Sequence, residues 1–429
     1  MKLLLVSYYF PPHKGIGGKR IARWARHLPR FGISPLVLTT PEAPESLRDP
    51  KPPSVGEAQV LREYCPAWAF RAFHGTNSSV ASATATARHE PSEASFWSRG
   101  LARVGDVLWE NYPVDPNVWF VPFASRAAVR IAKREHVGAA LVTAAPYSSF
   151  LVGLSLAKAG IPWIADFRDP WSFNFEQEKR SPRARRLDER LERAVVESAA
   201  RVLFANDNTR QRYEELYPSL KGRAETLYSG FDPAPMPSPA PWPGEKRPKF
   251  ALVHFGDFYG PRKLGSMLDA LALLAREGVS PRELGILLLG KALAEDLARA
   301  EALGVRGFLQ VQPARPYEEG MAILAGADAL LYCDPGRERY FIAGKLFDYV
   351  RARRPIVGLS ASDETRRLIE GHGLGRVFDP DDVAGLASGL RALLGGKSEY
   401  QPRGVASLSE DASARRLAEI AREIGASRP

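Results

Sequence analysis

Cysteine is scarce in this chain: two in 429 residues, Cys65 and Cys333. They stand too far apart to suggest a metal-ligand spacing, and so few thiols fit a reducing compartment. Long hydrophobic runs are also missing. The apolar stretch that opens the chain, Leu3 to Val6, breaks at Pro11-Pro12, too short for the core of a signal peptide or for a membrane span. The chain is therefore expected in the cytosol. Acids are the minority charge, 49 against 59 lysines and arginines, and the net charge of +10 favours anionic partners such as nucleotide diphosphates or acidic lipid surfaces. No internal repeat stands out.

What is present describes an ordinary soluble globular chain, 45% hydrophobic and a quarter charged, long enough for two domains of roughly 200 residues each. Short apolar runs at 3–10, 35–40, 59–64, 139–145, 162–167 and 201–206 read as buried strands. Helical periods at 19–31, 122–136, 146–159 and 183–200 separate them, an alternation that predicts a parallel sheet covered on both faces. From 233 to 243 the sequence is PAPMPSPAPWP, which cannot be helical and predicts an extended, semi-rigid spacer. The alternation then restarts with strands at 250–256, 285–290, 308–313, 329–334 and 355–360. The expected organisation is an N-terminal Rossmann-like domain over 1–232, a proline-rich linker over 233–249 and a second Rossmann-like domain over 250–405. A last helical segment over 406–429 carries Leu417, Ile420 and Ile424 on one face, with Asp411 as a candidate N-cap. Residues 76–95, small and polar, predict a mobile loop.

Ligands of doubly wound sheets bind outside the carboxyl ends of the strands. Three segments fall on such loops. The first is SYYFPPHKGIGGKR at 7–20. Its glycines Gly15, Gly17 and Gly18 open a helix, where free backbone N–H groups receive phosphate. A dinucleotide fingerprint needs a third glycine where Arg20 stands, and no Gly-Lys-Ser/Thr follows for a P-loop; a flexible turn is the plain alternative. The second is HFGDFYGPRK at 254–263, in which a strand ends at Gly256 and a helix is expected near Pro261. Arg262 and Lys263 then lie in a first helical turn, where the dipole disfavours cations unless an anion joins them; a solvated basic pair is the alternative. The third is RYFIAGKLFDYVRARRPIV at 339–357. Here Gly344 admits a phosphate to the amides of a helix start, and Asp348, one turn on, is placed to accept from a ribose diol. Arg351, Arg353 and Arg354 read as solvated, as does the arginine-rich stretch at 179–193, for which an anionic lipid surface is the sharper alternative.

Taken together these blocks resemble family-four glycosyltransferases of GT-B fold, especially bacterial members that build surface polysaccharides. The resemblance rests on YYFPP…GIGG-x-R…LPRFG, PWIADFRDPW at 162–171, YSGFD at 228–232, HFGDFYGPRK and GKLFDYV…RRPIV, in the family's order over nearly the whole chain. It implies two Rossmann-like domains facing a cleft and a retaining transfer from a nucleoside-diphosphate-sugar to a polysaccharide, lipid-linked or small-molecule acceptor. The donor is a co-substrate and no cofactor is implied. Gly17 and Gly18 would face its diphosphate, Arg262 and Lys263 would neutralise it, and Gly256 with the amides of Gly344, Lys345 and Leu346 would complete the cradle. Asp348 matches the ribose-binding second acid of the family's paired-acid motif. The first acid is replaced by Tyr340, with Glu338 two residues off, and the family's His-Asp appears as Arg168-Asp169. Arginine is no base at neutral pH, so Arg168 is read as orienting the acceptor or stabilising the leaving phosphate. Tyr147 and Trp171 are the candidate acceptor-stacking residues, with core packing as the alternative. No metal is expected, because the sequence is read as offering no Asp-x-Asp metal site, and Asp166 and Asp169, three apart, flank an arginine. The partners implied are a nucleotide sugar, an acceptor and an anionic membrane at its inner face, without nucleic acid. A nucleotide-sugar 2-epimerase and a silent nucleotide-binding protein are the competing readings.

Overall fold

The structure is a computed structural model describing residues 1–14, 16–42, 45–49, 52–70, 114–174, 177, 180–243, 246–258, 262–334 and 340–426. The loop expected at 76–95, together with Gly15, Pro261 and Glu338, lies outside the described residues. The chain divides into two compact units, Met1–Tyr228 with Ser413–Pro429, and Ser229–Ala412.

In the first unit, strands β1 (Lys2–Val6), β2 (Ser34–Leu38), β3 (Gln59–Leu61), β4 (Ala139–Thr143), β5 (Trp163–Phe167), β6 (Arg201–Phe204) and β7 (Ala224–Thr226) form one sheet in the order β3-β2-β1-β4-β5-β6-β7. Every pairing is parallel. Helices α1 (Lys19–His27), α2 (Val121–Arg134), α3 (Phe150–Lys158), α4 (Pro182–Ser198) and α5 (Asp207–Leu216) connect them. Buried residues alternate between two cores across β1: Leu4 and Val6 join one cluster, Leu3 and Leu5 the other. Burial on both faces is why the strand reads as a continuous apolar run.

The second unit repeats the plan with β8 (Phe250–Phe255), β9 (Leu284–Leu289), β10 (Leu309–Gln312), β11 (Ala329–Cys333), β12 (Ile356–Leu359) and β13 (Gly375–Phe378), ordered β10-β9-β8-β11-β12-β13. Its helices are α6 (Gly265–Arg276), α7 (Ala294–Ala302), α8 (Tyr317–Ala325), α9 (Lys345–Ala352), α10 (Asp363–Ile369) and α11 (Val383–Leu394). The last helix, α12 (Glu410–Ala426), places Leu417, Ile420 and Ile424 in a core of the first unit beside Trp24.

Four expectations change. The proline-rich segment is no spacer: it runs against the second unit, with Ala240 N–H donating to the Ala322 carbonyl and Trp242 Nε1 to Gln310 Oε1, each at 3.0 Å. Arg351 is buried rather than solvated, and holds the same segment through the carbonyls of Ala234 and Pro235. Ser409, not Asp411, caps α12, accepting from Ala412 N–H at 3.1 Å. The arginine-rich stretch is only partly a solvated face: Arg180 pairs with Asp188 at 2.8 Å, both buried, and Glu192 is buried too.

Candidate functional site

In each sheet the strand order reverses at one place, between β1 and β4 and between β8 and β11. Connections leave such a switch point in opposite directions and open a crevice at the carboxyl ends. The candidate residues gather at these two positions, and each unit carries its own constellation.

In the second unit the switch point is polar where its strands are otherwise apolar. His254, the fifth residue of β8, is fully buried. Its Nδ1 lies 2.8 Å from the Leu331 carbonyl, which accepts only, so Nδ1 carries the proton and Nε2 is left as an acceptor. Lys345 Nζ donates to that Nε2 at 3.0 Å. Burial and the neighbouring Lys345 ammonium hold the imidazole well below its usual range, so it is neutral. Lys345 is itself pushed down to about 8, first by burial and then by the Arg262 guanidinium. Gly256 closes the arrangement: its φ is +113°, a conformation that L side chains rarely adopt, and a Cβ there would stand 3.0 Å from Lys345 Nζ.

A second layer fixes the approach to α9. Asp334 accepts from Tyr332 OH at 2.6 Å, Ser360 Oγ at 2.5 Å and Thr365 Oγ1 at 2.7 Å. Burial raises its pKa, against which these bonds and Arg262 act. Tyr332 OH in turn accepts from Ala343 N–H at 3.1 Å, two residues before the helix. Tyr349 OH bridges the strands, accepting from Phe255 N–H at 2.9 Å and donating to the Leu331 carbonyl at 3.2 Å. The turn into α9 is closed by Leu346 N–H to Ala343 O and Phe347 N–H to Gly344 O. The Leu346 amide is therefore already engaged, and Gly344 and Lys345 supply the amides at the opening. Asp348 accepts from Tyr317 OH at 2.7 Å.

Arg262 and Lys263 part company. Arg262 is buried and close enough to influence Lys345, His254 and Asp334, whereas Lys263 is exposed and paired with Glu295 at 3.0 Å. Neither lies in a helical turn, since α6 begins at Gly265 and Leu264 N–H donates to Asp296 at 3.0 Å. An anion is thus not needed to explain Lys263. The Asp-x-Asp that the sequence carries, Asp379 and Asp381, forms a tight turn in which Asp381 N–H donates to Asp379 Oδ1 at 2.9 Å. Among the described residues no cluster of three metal-ligating side chains occurs.

In the first unit the glycine loop is packed rather than loose. A Cβ on Gly17 would lie 2.8 Å from the Tyr9 ring, and one on Gly18 would lie 3.0 Å from the Tyr9 carbonyl and from Phe10 Cα. Glycine is demanded there by the backbone's own neighbours. Arg20 is buried, stacked 4.2 Å over the Trp24 ring and paired with Asp166 at 3.0 Å. Thr143 Oγ1 also donates to Asp166, at 2.7 Å. Arg168 donates to the carbonyls of Gly17, Ala144 and Ala145 and so ties the loop after β1 to the turn after β4. Its half-buried neighbour Asp169 has its pKa raised by burial.

Of the acceptor-stacking candidates, Trp171 is fully buried and stacked on Tyr147 with centroids 5.4 Å apart, so no acceptor reaches its faces. Tyr147 is half-buried and donates to the Pro170 carbonyl at 2.6 Å. Beneath them, buried Glu192 accepts from Ser172 N–H and Oγ and from the hydroxyls of Tyr213 and Tyr217, at 2.6 to 2.9 Å. That carboxylate anchors the loop after β5 to α4.

His254, Asp334, Tyr332, Tyr317 and the side chain of Lys345 escaped the sequence reading. One signal was present: His254 and the Tyr-Cys-Asp at 332–334 are polar residues at the ends of apolar strands.

The profile described as Glycosyltransferase Family 4 matches residues 17–235. A comparison with curated proteins found no matching sequence. Among solved structures, the chain is similar to sucrose-phosphate synthase of Thermosynechococcus elongatus, with 14% identity, 99% of each chain covered and a TM-score of 0.63. HepE of Anabaena in complex with UDP aligns at 15% identity and a TM-score of 0.54, covering 99% of this chain and 98% of its own. The lipopolysaccharide outer core galactosyltransferase WaaB aligns at 11% identity and 0.56, with 98% and 100% covered. At such identities the likeness concerns the fold, which is that of the GT-B class.

Proposed function

This chain belongs to glycosyltransferase family 4 and is a glycosyltransferase, and from that premise we propose that it moves a sugar from a nucleoside-diphosphate-sugar to an acceptor with retention and without a metal. The observation that carries the donor reading is the pair of crowded cations at the switch point of the second sheet, where buried Arg262 acts on Lys345, the first residue of α9. A diphosphate supplies the negative charge that two crowded cations and a helix start favour. Asp348, oriented by Tyr317 at 2.7 Å, is the ribose-binding acid, one turn into the same helix. That HepE has been captured with UDP, and separately with UDP-glucose, supports a uridine donor as the first to try.

As the glycosidic bond breaks, charge grows on the departing diphosphate, and preorganised donors stabilise it there without reorganising. Arg262 and Lys345 are placed for that role. Lys263, on the surface, contributes at most to donor capture. Retention proceeds by front-face transfer, in which the donor's own phosphate helps to remove the acceptor proton. Tyr147 is the aromatic left within an acceptor's reach. The acceptor is polysaccharide or lipid-linked, at an anionic membrane surface, a choice supported by the net charge of +10 and by the exposed arginines Arg183, Arg185, Arg186, Arg190 and Arg193 of α4. No helix among the described residues is long and apolar enough to cross a membrane.

A thermal-shift screen against UDP-, GDP-, dTDP- and ADP-sugars tests the donor, since binding to the native state raises its melting temperature. Turnover in excess chelator, with the product anomer assigned by NMR, tests the mechanism. Activity restored only by a divalent metal, or an inverted product, rejects it. Tyr340 in place of the first acid favours one rival, a silent nucleotide-binding protein; binding without slow release of nucleoside diphosphate would establish that rival instead. Release of an isomerised sugar would establish the epimerase.

A further inference from the structure

We infer that the side chain of Lys345 is a diphosphate ligand whose proton is part of the binding reaction, and that His254 is the positioning residue that aims it. The inference rests on the donor reading above and deepens it.

Lysine at the first position of a helix is unfavourable, because its charge meets the positive end of the dipole. Here it is also half-buried, with the Arg262 guanidinium the strongest charge acting on it. Nothing in α9 compels this placement. Among the described residues, one neutral acceptor holds the ammonium there, His254 Nε2 at 3.0 Å, in a ring whose other nitrogen is pinned to the Leu331 carbonyl at 2.8 Å. One N–H of the ammonium is thus spoken for, and two are left for a ligand. The missing Cβ of Gly256 keeps the space beside Nζ open, since a side chain there would begin 3.0 Å away. Gly344, next to Lys345 in the chain, is exposed, and a Cβ on it would meet nothing within 4 Å.

Several charged groups among the described residues bear on the Lys345 proton. Arg262 opposes its charge, while Asp257 after β8 and Asp348 on α9 favour it. His254 stays neutral, and Cys333, pushed up to about 12 by burial, does not ionise near neutrality. Without ligand, Lys345 titrates at about 8. A bound diphosphate adds negative charge and raises that value, so binding takes up a proton wherever the free protein has lost one. Affinity is then full below about pH 8 and falls as the pH rises through that value. The terminal phosphate, with a pKa of about 6, is already ionised across this range.

The test is calorimetry of UDP with the full chain between about pH 7.5 and 9.5, in buffers of different ionisation enthalpy. The expected result is a loss of more than about tenfold in affinity across the range, a tenfold change corresponding to one proton over one pH unit. Proton uptake should peak above pH 8. Lys345→Met should bind more weakly and with a flat profile, and Lys345→Arg should keep affinity while flattening it. His254→Phe should move the midpoint downward, because the ammonium loses its acceptor in the same buried place; a merely structural histidine would leave the midpoint where it is. Binding with a flat wild-type profile, or a Lys345→Met variant with wild-type affinity, overturns this inference and leaves the donor reading standing. Failure of UDP, GDP, dTDP, ADP and pyrophosphate alike to bind overturns the donor reading itself.

Discussion

Asp348 and Gly256 show how much a single position decides in the second unit. Asp348 accepts from Tyr317 OH, and an added ribose hydroxyl bonded to a carboxylate is worth about 1.5–3 kcal/mol. Asp348→Ala is therefore expected to weaken nucleoside diphosphate at least about tenfold with the fold intact, as read by calorimetry and circular dichroism. Unchanged affinity removes the residue from the site. At Gly256, with φ at +113°, alanine adds backbone strain of roughly 1–3 kcal/mol and pushes against Lys345 Nζ. Gly256→Ala should lower both the unfolding midpoint of the second unit and its affinity for UDP. A variant that loses stability alone would detach the glycine from the ligand's place.

Arg168 shows that loops in this fold are fastened as elements. One planar guanidinium donates to carbonyls on two loops, Gly17 after β1 and Ala144 and Ala145 after β4. Lysine cannot reproduce that fork. Arg168→Lys should increase hydrogen–deuterium exchange over 16–20 and 144–149, with a stability loss of about 1.5–3 kcal/mol, and should leave nucleoside-diphosphate affinity unaltered. Protection that stays unchanged would show that Tyr9 and Phe10 hold the loop without it. The neighbouring ion pair is a harsher case: Arg20→Met strands Asp166, which is fully buried, and removing one partner of such a pair costs about 3–5 kcal/mol.

At the scale of the whole molecule, two units with separate cores share one chain that returns at its end. Leu417 is fully buried among residues of the first unit, although it follows the second in sequence. Leu417→Ala should cost about 2–5 kcal/mol in the unfolding transition of the first unit, followed by circular dichroism in urea. The thermal shift given by UDP should persist, because the second unit's core contains no α12 residue. If the UDP-sensitive transition moved instead, the helix would stabilise the other unit.

The alternation of strand and helix was legible because both sheets are parallel and buried on both faces, so β1, β4, β8, β9 and β11 read as nearly continuous apolar runs. Edge strands β7 and β13 were not, since half-buried and exposed positions break the run. Gly17, Gly18, Gly256, Arg262, Gly344 and Asp348 could be singled out as candidates because backbone geometry and charge leave local marks, as did the order of the blocks that pointed to the family. What the sequence could not decide was which charges face inward. Arg262 and Lys263 are adjacent and alike, yet one is buried beside Lys345 and the other pairs with Glu295 on the surface. Arg168 read as a site residue and Arg351 as a solvent residue until their partners appeared, 24 and 117 residues away. The aim of a long side chain depends on acceptors that only folding brings within 3 Å, and so His254 and Lys345, 91 residues apart in sequence, become a pair only in the tertiary structure.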